Sequence, residues 1–352
     1  MSLSEITGQE KAVGMLTGVL ERQRLASSYI FSGESGIGKK LTAINFAKAL
    51  NCLNSRNALS VMRDETSKKN PALITDIEKN SPIPPLAKGG GGGFDSCDKC
   101  ESCLKIESGS HPDLKLIAPE DRQIKIDEIR LIDEALSFRP FEGRKKVVIV
   151  DDADTMNIAA ANAFLKTLEE PPEDSVIILI SSRPDRLPAT IRSRCSRVNF
   201  VTLSMESCKK VLGGKVPDEE LEVLARLSMG KPGLALSSDL KEEITWFSGL
   251  LKGMLNAEKD SWASREDMDR WFEQALIMMR DASVLQITGD AARLVNADLR
   301  EYASKMGKST DLQGIIEMYK ELSLVKGLLM FNLNKSITWN YTASLLRKGL
   351  VV

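Results

Sequence analysis

The spacing of apolar residues predicts alternating helices and strands over the first 200 residues. Val13, Leu16, Val19 and Leu20 recur at the three- and four-residue intervals of one helix face. SSYIFSG, KKVVIVDDAD and SVIILISS each contain an apolar run of the length that buried strands have. KKLTAINFAKALNC follows the first of these stretches and AANAFLKTLEE the second, both with helical patterns. Such alternation predicts a parallel sheet covered by helices.

The pattern changes near residue 202, beyond which strand signals fade. EELEVLARLSM, LQGIIEMYKELSLVKGLLMFNL and ITWNYTASLLRKG all favour helices. All four tryptophans lie in this half, and we expect them to anchor a separate helical core: Trp246, Trp262, Trp271 and Trp339. The sequence therefore predicts an α/β domain over residues 1–201, followed by all-α structure.

Residues 53–96 differ in composition from the rest of the chain. They include NPALITDIEKNSPIPPLAKGGGGGF, with clustered prolines and five successive glycines. Such a composition cannot bury enough apolar surface to offset the entropy lost on ordering. We therefore predict a disordered insertion within the α/β domain.

The overall composition narrows the class of protein. Hydrophobic residues make up 42% of the 352 residues and charged residues 28%, which is typical of a globular protein. A net charge of -1 argues against a protein that coats nucleic acid on its own. MSLSEITGQEKAVGML does not have the basic flank and apolar core of a secretory signal, and apolar runs such as VIILI are too short to span a membrane. We predict a cytoplasmic protein without membrane contact.

The stretch GESGIGKK nearly matches a phosphate-binding loop, and it lies between a predicted strand and a predicted helix, as that motif requires. In such loops backbone N–H groups surround the phosphates, the lysine reaches the outer ones, and the final Ser or Thr hydroxyl binds Mg²⁺. Lys40 stands at that final position, offers no oxygen and adds a positive charge where the magnesium would sit. Thr42 cannot replace it, because two residues along a helix are about 200° apart around its axis. The residues that satisfy the nucleotide cradle are Gly33, Gly36, Gly38 and Lys39.

The strand-like VVIVDDAD provides a second test of ATP chemistry. Asp151, at the end of this strand, is placed to hold the water shell of the metal. In ATPases of this architecture the next residue is a glutamate that activates the attacking water, whereas here it is Asp152, one methylene shorter. Because a displacement of about 1 Å can reduce a rate by orders of magnitude, we expect little or no ATP hydrolysis by this chain.

A basic segment, RPDRLPATIRSRCSR, runs from Arg183 to Arg197 with five arginines and one acid. Charge runs of this kind are most often a solvated surface. Arg194, however, follows Pro188 and a predicted short helical turn. That position suits an arginine offered in trans to the γ-phosphate of a neighbour.

Three of the six cysteines, Cys97, Cys100 and Cys103, have C-x-x-C-x-x-C spacing, which in a cytosolic chain indicates a metal rather than disulfides. Tetrahedral zinc needs a fourth ligand. Cys52 is the preferred candidate, and the only histidine, His111, is its rival. Lengthening the loop from about eight residues to 44 adds about 1.5 kcal/mol of closure entropy, far less than the roughly 10–16 kcal/mol that structural zinc contributes.

Such a site would be structural, because four protein ligands leave no open coordination position. The remaining cysteines, Cys195 and Cys208, do not have ligand spacing. Ordinary burial is expected for both.

Together these motifs resemble one family, the delta-prime subunit of the bacterial DNA polymerase III clamp loader, within the AAA+ class. The resemblance depends on GQEKAVGML, GESGIGKK, the C-x-x-C-x-x-C module, HPDL, VVIVDDADTMNIAAANAFLKTLEEPP, SSRPDRLPATIRSRC and MGKPGLAL. Specific motifs support the resemblance over roughly residues 5–240. Over the helical remainder, only the general helical character agrees with the family.

The resemblance implies an AAA+ domain over residues 1–201, a small helical lid over 202–240 and a helical collar over 241–352 that oligomerises. It also implies a ring-like pentamer with gamma/tau and delta subunits, which opens a sliding clamp and places it on primed DNA. Within that assembly the chain supports its partners, and no step of polymerisation occurs on it.

The resemblance implies roles for individual residues, at the positions of this chain that match the family's motifs. Arg194, in Ser193-Arg194-Cys195, matches the arginine that reaches the ATP of an adjacent gamma/tau subunit, where ATP and Mg²⁺ are expected. Gly233 stands where ATP-hydrolysing relatives carry a sensor arginine. Nucleotide is expected to bind this chain weakly or not at all. The four cysteines match the family's structural zinc module, although the 44-residue gap departs from its usual short spacing: Cys52, Cys97, Cys100 and Cys103.

Two alternatives stay open. The first is an active gamma/tau-like ATPase, against which Lys40, Asp152 and Gly233 all argue. The second is a zinc-dependent nucleic-acid-binding protein, which predicts strong, salt-sensitive DNA binding by this chain alone. The near-zero net charge argues against it.

Overall fold

The computed structural model divides into two compact units, Met1–Val211 and Leu212–Val352, which are described separately. Most of the predicted insertion, residues 56–92, lies outside the described residues. The described ranges are 1–55, 93–120, 123–237, 240–259 and 262–350.

A five-stranded parallel sheet forms the centre of the first unit. Its order is β2-β3-β4-β1-β5, and every pairing is parallel, which confirms the predicted α/β class. β1 and β4 are buried at every position, as expected for strands covered on both faces. The strands are β1 (Ser28–Ser32), β2 (Leu114–Ile117), β3 (Lys146–Val150), β4 (Ser175–Ser181) and β5 (Ser196–Asn199).

Helices pack around this sheet. One large cluster of buried side chains joins the strands to three of the helices through residues such as Ile132, Phe164 and Ile191, all fully buried. Numbered along the described chain, the helices are α1 (Glu10–Glu21), α2 (Lys39–Asn51), α3 (Glu101–Glu107), α4 (Ile126–Leu136), α5 (Ile158–Glu169), α6 (Ala189–Arg192) and α7 (Met205–Leu212).

The order of the strands determines where the loops meet. β4 lies between β1 and β3, and all three run in the same direction. The segments that follow β1 and β3 therefore emerge at the same edge of the sheet. GESGIGKK follows β1 and Asp151 follows β3, so the strand order brings these two motifs to one edge.

Within the residues that the structure describes, the regular elements of the second unit are all helices. Trp262, Trp271 and Trp339 are almost fully buried in one cluster, and Trp246 packs against it, which confirms the predicted aromatic core. The proposed boundary between a lid (202–240) and a collar (241–352) stays a prediction. The helices are α8 (Asp218–Leu227), α9 (Pro232–Ser237), α10 (Leu240–Leu255), α11 (Arg265–Thr288), α12 (Arg300–Ser309), α13 (Leu312–Leu328) and α14 (Lys335–Leu350).

The apolar stretches of the described helices are too short to suggest a membrane span. Within the part of the chain that the structure describes, none of the helices combines the length and the apolar character needed to cross a bilayer.

Candidate functional site

The phosphate loop connects β1 to α2 through three glycines with positive φ. Gly33 has φ 150°, Gly36 has φ 77° and Gly38 has φ 96°, a region that side chains rarely adopt. A Cβ on Gly33 would lie 2.7 Å from Ile37 Cδ1 and 2.7 Å from the carbonyl oxygen of Phe200. The glycines of the motif are therefore required by the backbone path.

Lys39 is the first residue of α2 and is only 5% exposed. Its ammonium group donates to the carbonyl oxygens of Gly33 (2.6 Å) and Glu34 (2.5 Å), so the side chain folds back over the loop. Burial lowers the pKa of Lys39 below its ordinary value. Nearby carboxylates oppose that effect, above all those of Asp152, Asp151 and Asp154.

Lys40 contacts the carboxylate at the end of β3. Its Nζ lies 3.1 Å from Oδ2 of Asp151, with the lysine side chain 46% exposed and the aspartate 20%. The other oxygen, Oδ1, accepts the backbone N–H of Asp152 at 3.2 Å. Both oxygens of Asp151 therefore have a partner within the protein.

Thr42 and Asp152 complete the surroundings of the loop. The hydroxyl of Thr42 donates to the carbonyl oxygen of Gly38 at 2.9 Å, and the residue is fully buried. Thr42 thus points back along its own helix, in agreement with the helical geometry that argued against it as a metal ligand. Asp152 has φ 44°, in the left-handed region that Asp tolerates better than most residues.

The four cysteines that the sequence singled out lie together. The Sγ atoms of Cys52, Cys97, Cys100 and Cys103 are all within 4.8 Å of one another. Four thiolates around a tetrahedral zinc, each about 2.3 Å from the metal, stand about 3.8 Å apart. The cluster could therefore hold a metal ion of that size.

The cysteines come from two segments of the chain, one at the end of α2 and one at the start of α3. Cys52 follows the end of α2, while Cys100 immediately precedes α3 and Cys103 lies within it. Backbone N–H groups point at the sulfurs: that of Cys97 donates to Cys52 Sγ and that of Cys100 to Cys97 Sγ, both at 3.3 Å. Such donors favour the thiolate form that metal binding requires.

His111, the rival fourth ligand, is engaged elsewhere. Its Nδ1 accepts the backbone N–H of Asp113 at 3.1 Å, so the proton of the neutral ring is on Nε2, which lies 3.2 Å from Ser102 Oγ. Burial lowers the pKa of His111 and favours this neutral form. Both ring nitrogens therefore have protein partners, and the cluster consists of cysteines.

Arg194 follows the short helix α6 and is 34% exposed. Its guanidinium donates to Oε1 of Glu169 at 2.6 Å and to the carbonyl oxygen of Thr190 at 2.7 Å. These partners orient the group at the surface, and none of them belongs to the phosphate loop. The sequence predicted Arg194 but not Glu169, whose position at the end of α5 brings it to the arginine only in the folded chain.

Gln9 is a second residue that the sequence did not identify. It is 2% exposed, and its Nε2 donates to the carbonyl oxygens of Ile37 (3.1 Å) and Val201 (2.7 Å). Its Oε1 accepts the N–H of Val201 at 3.1 Å. Gln9 thereby ties the phosphate loop to the segment after β5; the only signal was its place in GQEKAVGML.

The two remaining cysteines lie apart from this cluster. Cys208 is fully buried, and burial raises the pKa of the Cys195 thiol to about 12. A thiol with a raised pKa is a poor nucleophile and a poor ligand at neutral pH. The expectation of ordinary burial is met for Cys208, while Cys195 is partly exposed.

Comparison with known proteins points to subunits of DNA polymerase III. The family model described as "DNA polymerase III, delta subunit" matches residues 8–75 and 90–204. The DNA polymerase III subunit delta' of Bacillus subtilis (strain 168) is 33% identical over 195 residues, which are 55% of this chain and 48% of that protein. The subunit delta' of Escherichia coli (strain K12) is 31% identical over 247 residues, which are 66% of this chain and 68% of that protein.

The chain is also similar to a solved structure. The DNA polymerase III gamma subunit-related protein of Thermotoga maritima has 20% identity and a TM-score of 0.43, and the superposition covers 95% of this chain and 99% of that one. The match to the Bacillus subtilis relative spans about half of its length.

Proposed function

The chain belongs to the DNA polymerase III delta-prime family, and we propose that it supports ATP-driven loading of a sliding clamp without hydrolysing ATP itself. In this proposal Arg194 completes the ATP site of a neighbouring subunit. The observation that carries it is the surface position of Arg194, whose guanidinium is oriented by Glu169 and Thr190 and has no partner in its own phosphate loop.

An arginine that reaches the phosphates of a neighbour stabilises the charge that develops on the transferred phosphoryl group. Such arginines raise turnover by about 10³–10⁵-fold. Holding the guanidinium in place before the neighbour docks lowers the entropy lost when the site is assembled. Glu169 is suited to this positioning role because its contact with Arg194 is charge-assisted and short.

Three positions argue against hydrolysis by the chain itself. Lys40 offers no hydroxyl to magnesium and instead pairs with Asp151. Asp152 is one methylene shorter than the glutamate that would activate water, and Gly233, within α9, offers no sensor side chain. Each departure removes a different part of the hydrolytic machinery, so restoring one of them is not expected to restore turnover.

The partners of this function are those that the family resemblance implied. They are gamma/tau subunits, a delta subunit, the sliding clamp and, through the assembly, primed DNA. The gamma/tau subunits bind and hydrolyse ATP with Mg²⁺. The near-zero net charge fits a chain that approaches DNA as part of a complex rather than alone.

The metal in the cysteine cluster is proposed to be zinc. Cys52, Cys97, Cys100 and Cys103 supply four soft sulfur ligands within 4.8 Å of one another, and such a ligand set favours zinc over the abundant hard cations. Arg144 donates to the carbonyl oxygen of Cys52 at 3.0 Å and places a positive charge beside the thiolates. With all four positions filled by protein, the ion would hold α2 and α3 together and perform no chemistry.

The test of the proposed function is ATP turnover in a loader reassembled from this chain and its cognate partners, with clamp and primed DNA present. Arg194→Ala is expected to slow the site that this arginine completes by about 10³–10⁵-fold, so that the remaining sites set the residual rate. Arg192→Ala is the matched control. Arg192 lies two residues before Arg194 in the chain, is also exposed, and forms an ion pair with Asp185 at 3.0 Å.

The isolated chain provides the second comparison. We expect no turnover from it above the level of a Lys39→Ala variant. Turnover by the isolated chain that Lys39→Ala abolishes would identify an ATPase instead. An assembly that responds equally to Arg194→Ala and Arg192→Ala would overturn the role of Arg194.

A further inference from the structure

The cysteine cluster requires a positive charge close to it. Four thiolates around a divalent ion leave two negative charges in excess, and charge that is removed from water is costly unless opposite charge or hydrogen bonds compensate it. Cys52 and Cys103 are fully buried, so water has little access to their side of the cluster. The compensating groups there must come from the protein.

Two lysines lie near the cluster, but neither is well placed to offset the thiolates. Lys48, one helical turn before Cys52, is 1% exposed and contacts the carboxylates of Asp98 (3.2 Å) and Glu107, which balance its charge. Lys99 lies between two of the cysteines in the sequence and is exposed, so solvent screens its charge.

Arg144 reaches the cluster from the loop before β3. Its Nη2 donates to the carbonyl oxygen of Cys52 at 3.0 Å and to Oγ of Ser55 at 2.9 Å. Ser55 is 2% exposed, and its hydroxyl donates to the same carbonyl at 3.1 Å. Burial lowers the pKa of Arg144, and the charges that oppose this effect are those of Cys52 and Cys100. The guanidinium therefore lies within electrostatic reach of two of the four sulfurs.

One donor of this guanidinium is left over. Nε of Arg144 is buried and has no hydrogen-bond partner among the described residues. Buried polar groups of native proteins are normally bonded, and an unmade bond of a charged group is costly. An arginine that keeps such a donor beside a group of cysteines is suited to negative charge on their sulfurs.

The loop holds Arg144 in place through two buried side chains. The carboxamide of Asn51 accepts the backbone N–H groups of Arg144 and Lys145 at 2.9 Å and donates to the carbonyl oxygen of Lys145 at 2.9 Å. The carboxylate of Asp113 accepts the backbone N–H groups of residues 141–143 at 2.7–2.8 Å. Both side chains are 1% exposed. The approach of the arginine is therefore fixed by contacts that do not involve the sulfurs.

We propose that Arg144 is a positioning residue for the metal centre: its guanidinium fixes the carbonyl group of Cys52 and compensates the excess negative charge of the thiolates, which keeps the ion bound. This role rests on the zinc proposed above and is independent of Arg194 and of ATP. Arg144 would not itself be a ligand.

The test compares Arg144→Gln, Arg144→Lys and the wild type as full chains, with the affinity for zinc measured by competition with a chromogenic chelator. Loss of a residue that supports metal ligands typically reduces metal affinity by about 10–100-fold, and we expect such a reduction in Arg144→Gln. Arg144→Lys keeps the charge but not the planar fork, so its affinity should lie between the two. Arg139→Gln, the same change at an exposed arginine of the same loop, is the control and should match the wild type.

Cobalt(II) in place of zinc gives a readout that a merely structural role would not move. Thiolate-to-cobalt charge-transfer absorption moves electron density from sulfur to the metal, so its energy depends on the electrostatic potential at the sulfurs. Removing a nearby positive charge raises the energy of the sulfur electrons. We therefore expect this band at a longer wavelength in cobalt-loaded Arg144→Gln than in the wild type, and a smaller shift in Arg144→Lys. The ligand-field bands, which report four-coordinate geometry, should be unchanged.

Three results would overturn the role of Arg144. They are an Arg144→Gln chain that binds zinc as tightly as the wild type, an Arg144→Lys chain as impaired as Arg144→Gln, and a charge-transfer band that stays in place in Arg144→Gln. A wild-type chain that binds neither zinc nor cobalt would contradict the metal centre, and the role of Arg144 with it. A wild type that binds zinc while Arg144→Gln binds it equally well would contradict only the role of Arg144, so the two failures are distinguishable.

Discussion

The cysteine cluster and the phosphate loop lie in the same unit, and each departs from its sequence motif in one respect. In the cluster the residue types are complete, but 44 residues separate Cys52 from Cys97. In the loop the spacing is complete, but Lys40 replaces the hydroxyl residue. The cluster still places its four sulfurs within 4.8 Å of one another, whereas the loop pairs Lys40 with Asp151.

The difference concerns what a fold can compensate. A long connection costs only closure entropy, about 0.6 kcal/mol for each doubling of its length, and the ends are still brought together by α2 and α3. A changed side chain alters the chemistry itself, because no backbone arrangement can give an ammonium group an oxygen. Altered spacing therefore leaves the predicted ligand set intact, while an altered residue changes the kind of ligand.

Loss of the metal should produce the largest effect. We expect Cys103→Ser, or treatment with a strong zinc chelator, to remove one bound metal ion per chain and to destabilise the first unit by several kcal/mol, since structural zinc contributes about 10–16 kcal/mol. Metal analysis of the purified chain and its thermal unfolding midpoint measure both effects. Cys195→Ser, at a cysteine outside the cluster, should retain the metal. Full metal content in Cys103→Ser would show that the sulfurs do not form the site.

The rigidity of the phosphate loop should produce a smaller effect. Gly33→Ala forces a side chain into φ 150° and into contact with the carbonyl oxygen of Phe200 at 2.7 Å, so we expect a loss of about 2–5 kcal/mol in stability. Gly38→Ala is the matched comparison, because Gly38 has φ 96° but no atom within 4 Å of its Cβ position. It should lose only about 1–2 kcal/mol.

Denaturant unfolding of the two glycine variants separates strain from steric contact. Equal losses would mean that the contact with Phe200 relaxes and that backbone conformation alone requires the glycines. A Gly33→Ala chain as stable as the wild type would mean that the loop is pliable, and a preformed phosphate cradle would then be wrong.

Much of the α/β unit could be predicted from sequence, because its buried strands carry continuous apolar runs. The strands at Ser28–Ser32, Lys146–Val150 and Ser175–Ser181 all fall within stretches singled out by that pattern. Strand β5 (Ser196–Asn199) was missed. It has four residues, only Val198 is buried, and its place in a basic segment concealed the strand.

The sequence identified the residues of the candidate sites, but it did not predict which of them contact each other. Glycines, lysines and cysteines at motif spacing are local information, and they were identified correctly as groups that lie together. The pairing of Lys40 with Asp151 depends on β1 and β3 flanking β4, and that of Arg194 with Glu169 on the approach of α5 to α6. Strand order and helix packing are long-range properties, which periodicity along the chain does not encode.

The smallest effect is expected from shortening the connection in the cysteine cluster. Deleting residues 57–92 leaves eight residues between Cys52 and Cys97, so the closure cost falls by about 1.5 kcal/mol while all four ligands stay. Metal content should be unchanged, and the unfolding midpoint should rise slightly. Replacing the same residues with a glycine-serine linker of equal length is the control, and it should match the wild type in both measurements. If the shortened chain lost its metal while the linker variant kept it, the cluster would need the length of this connection, and altered spacing would no longer be the harmless departure.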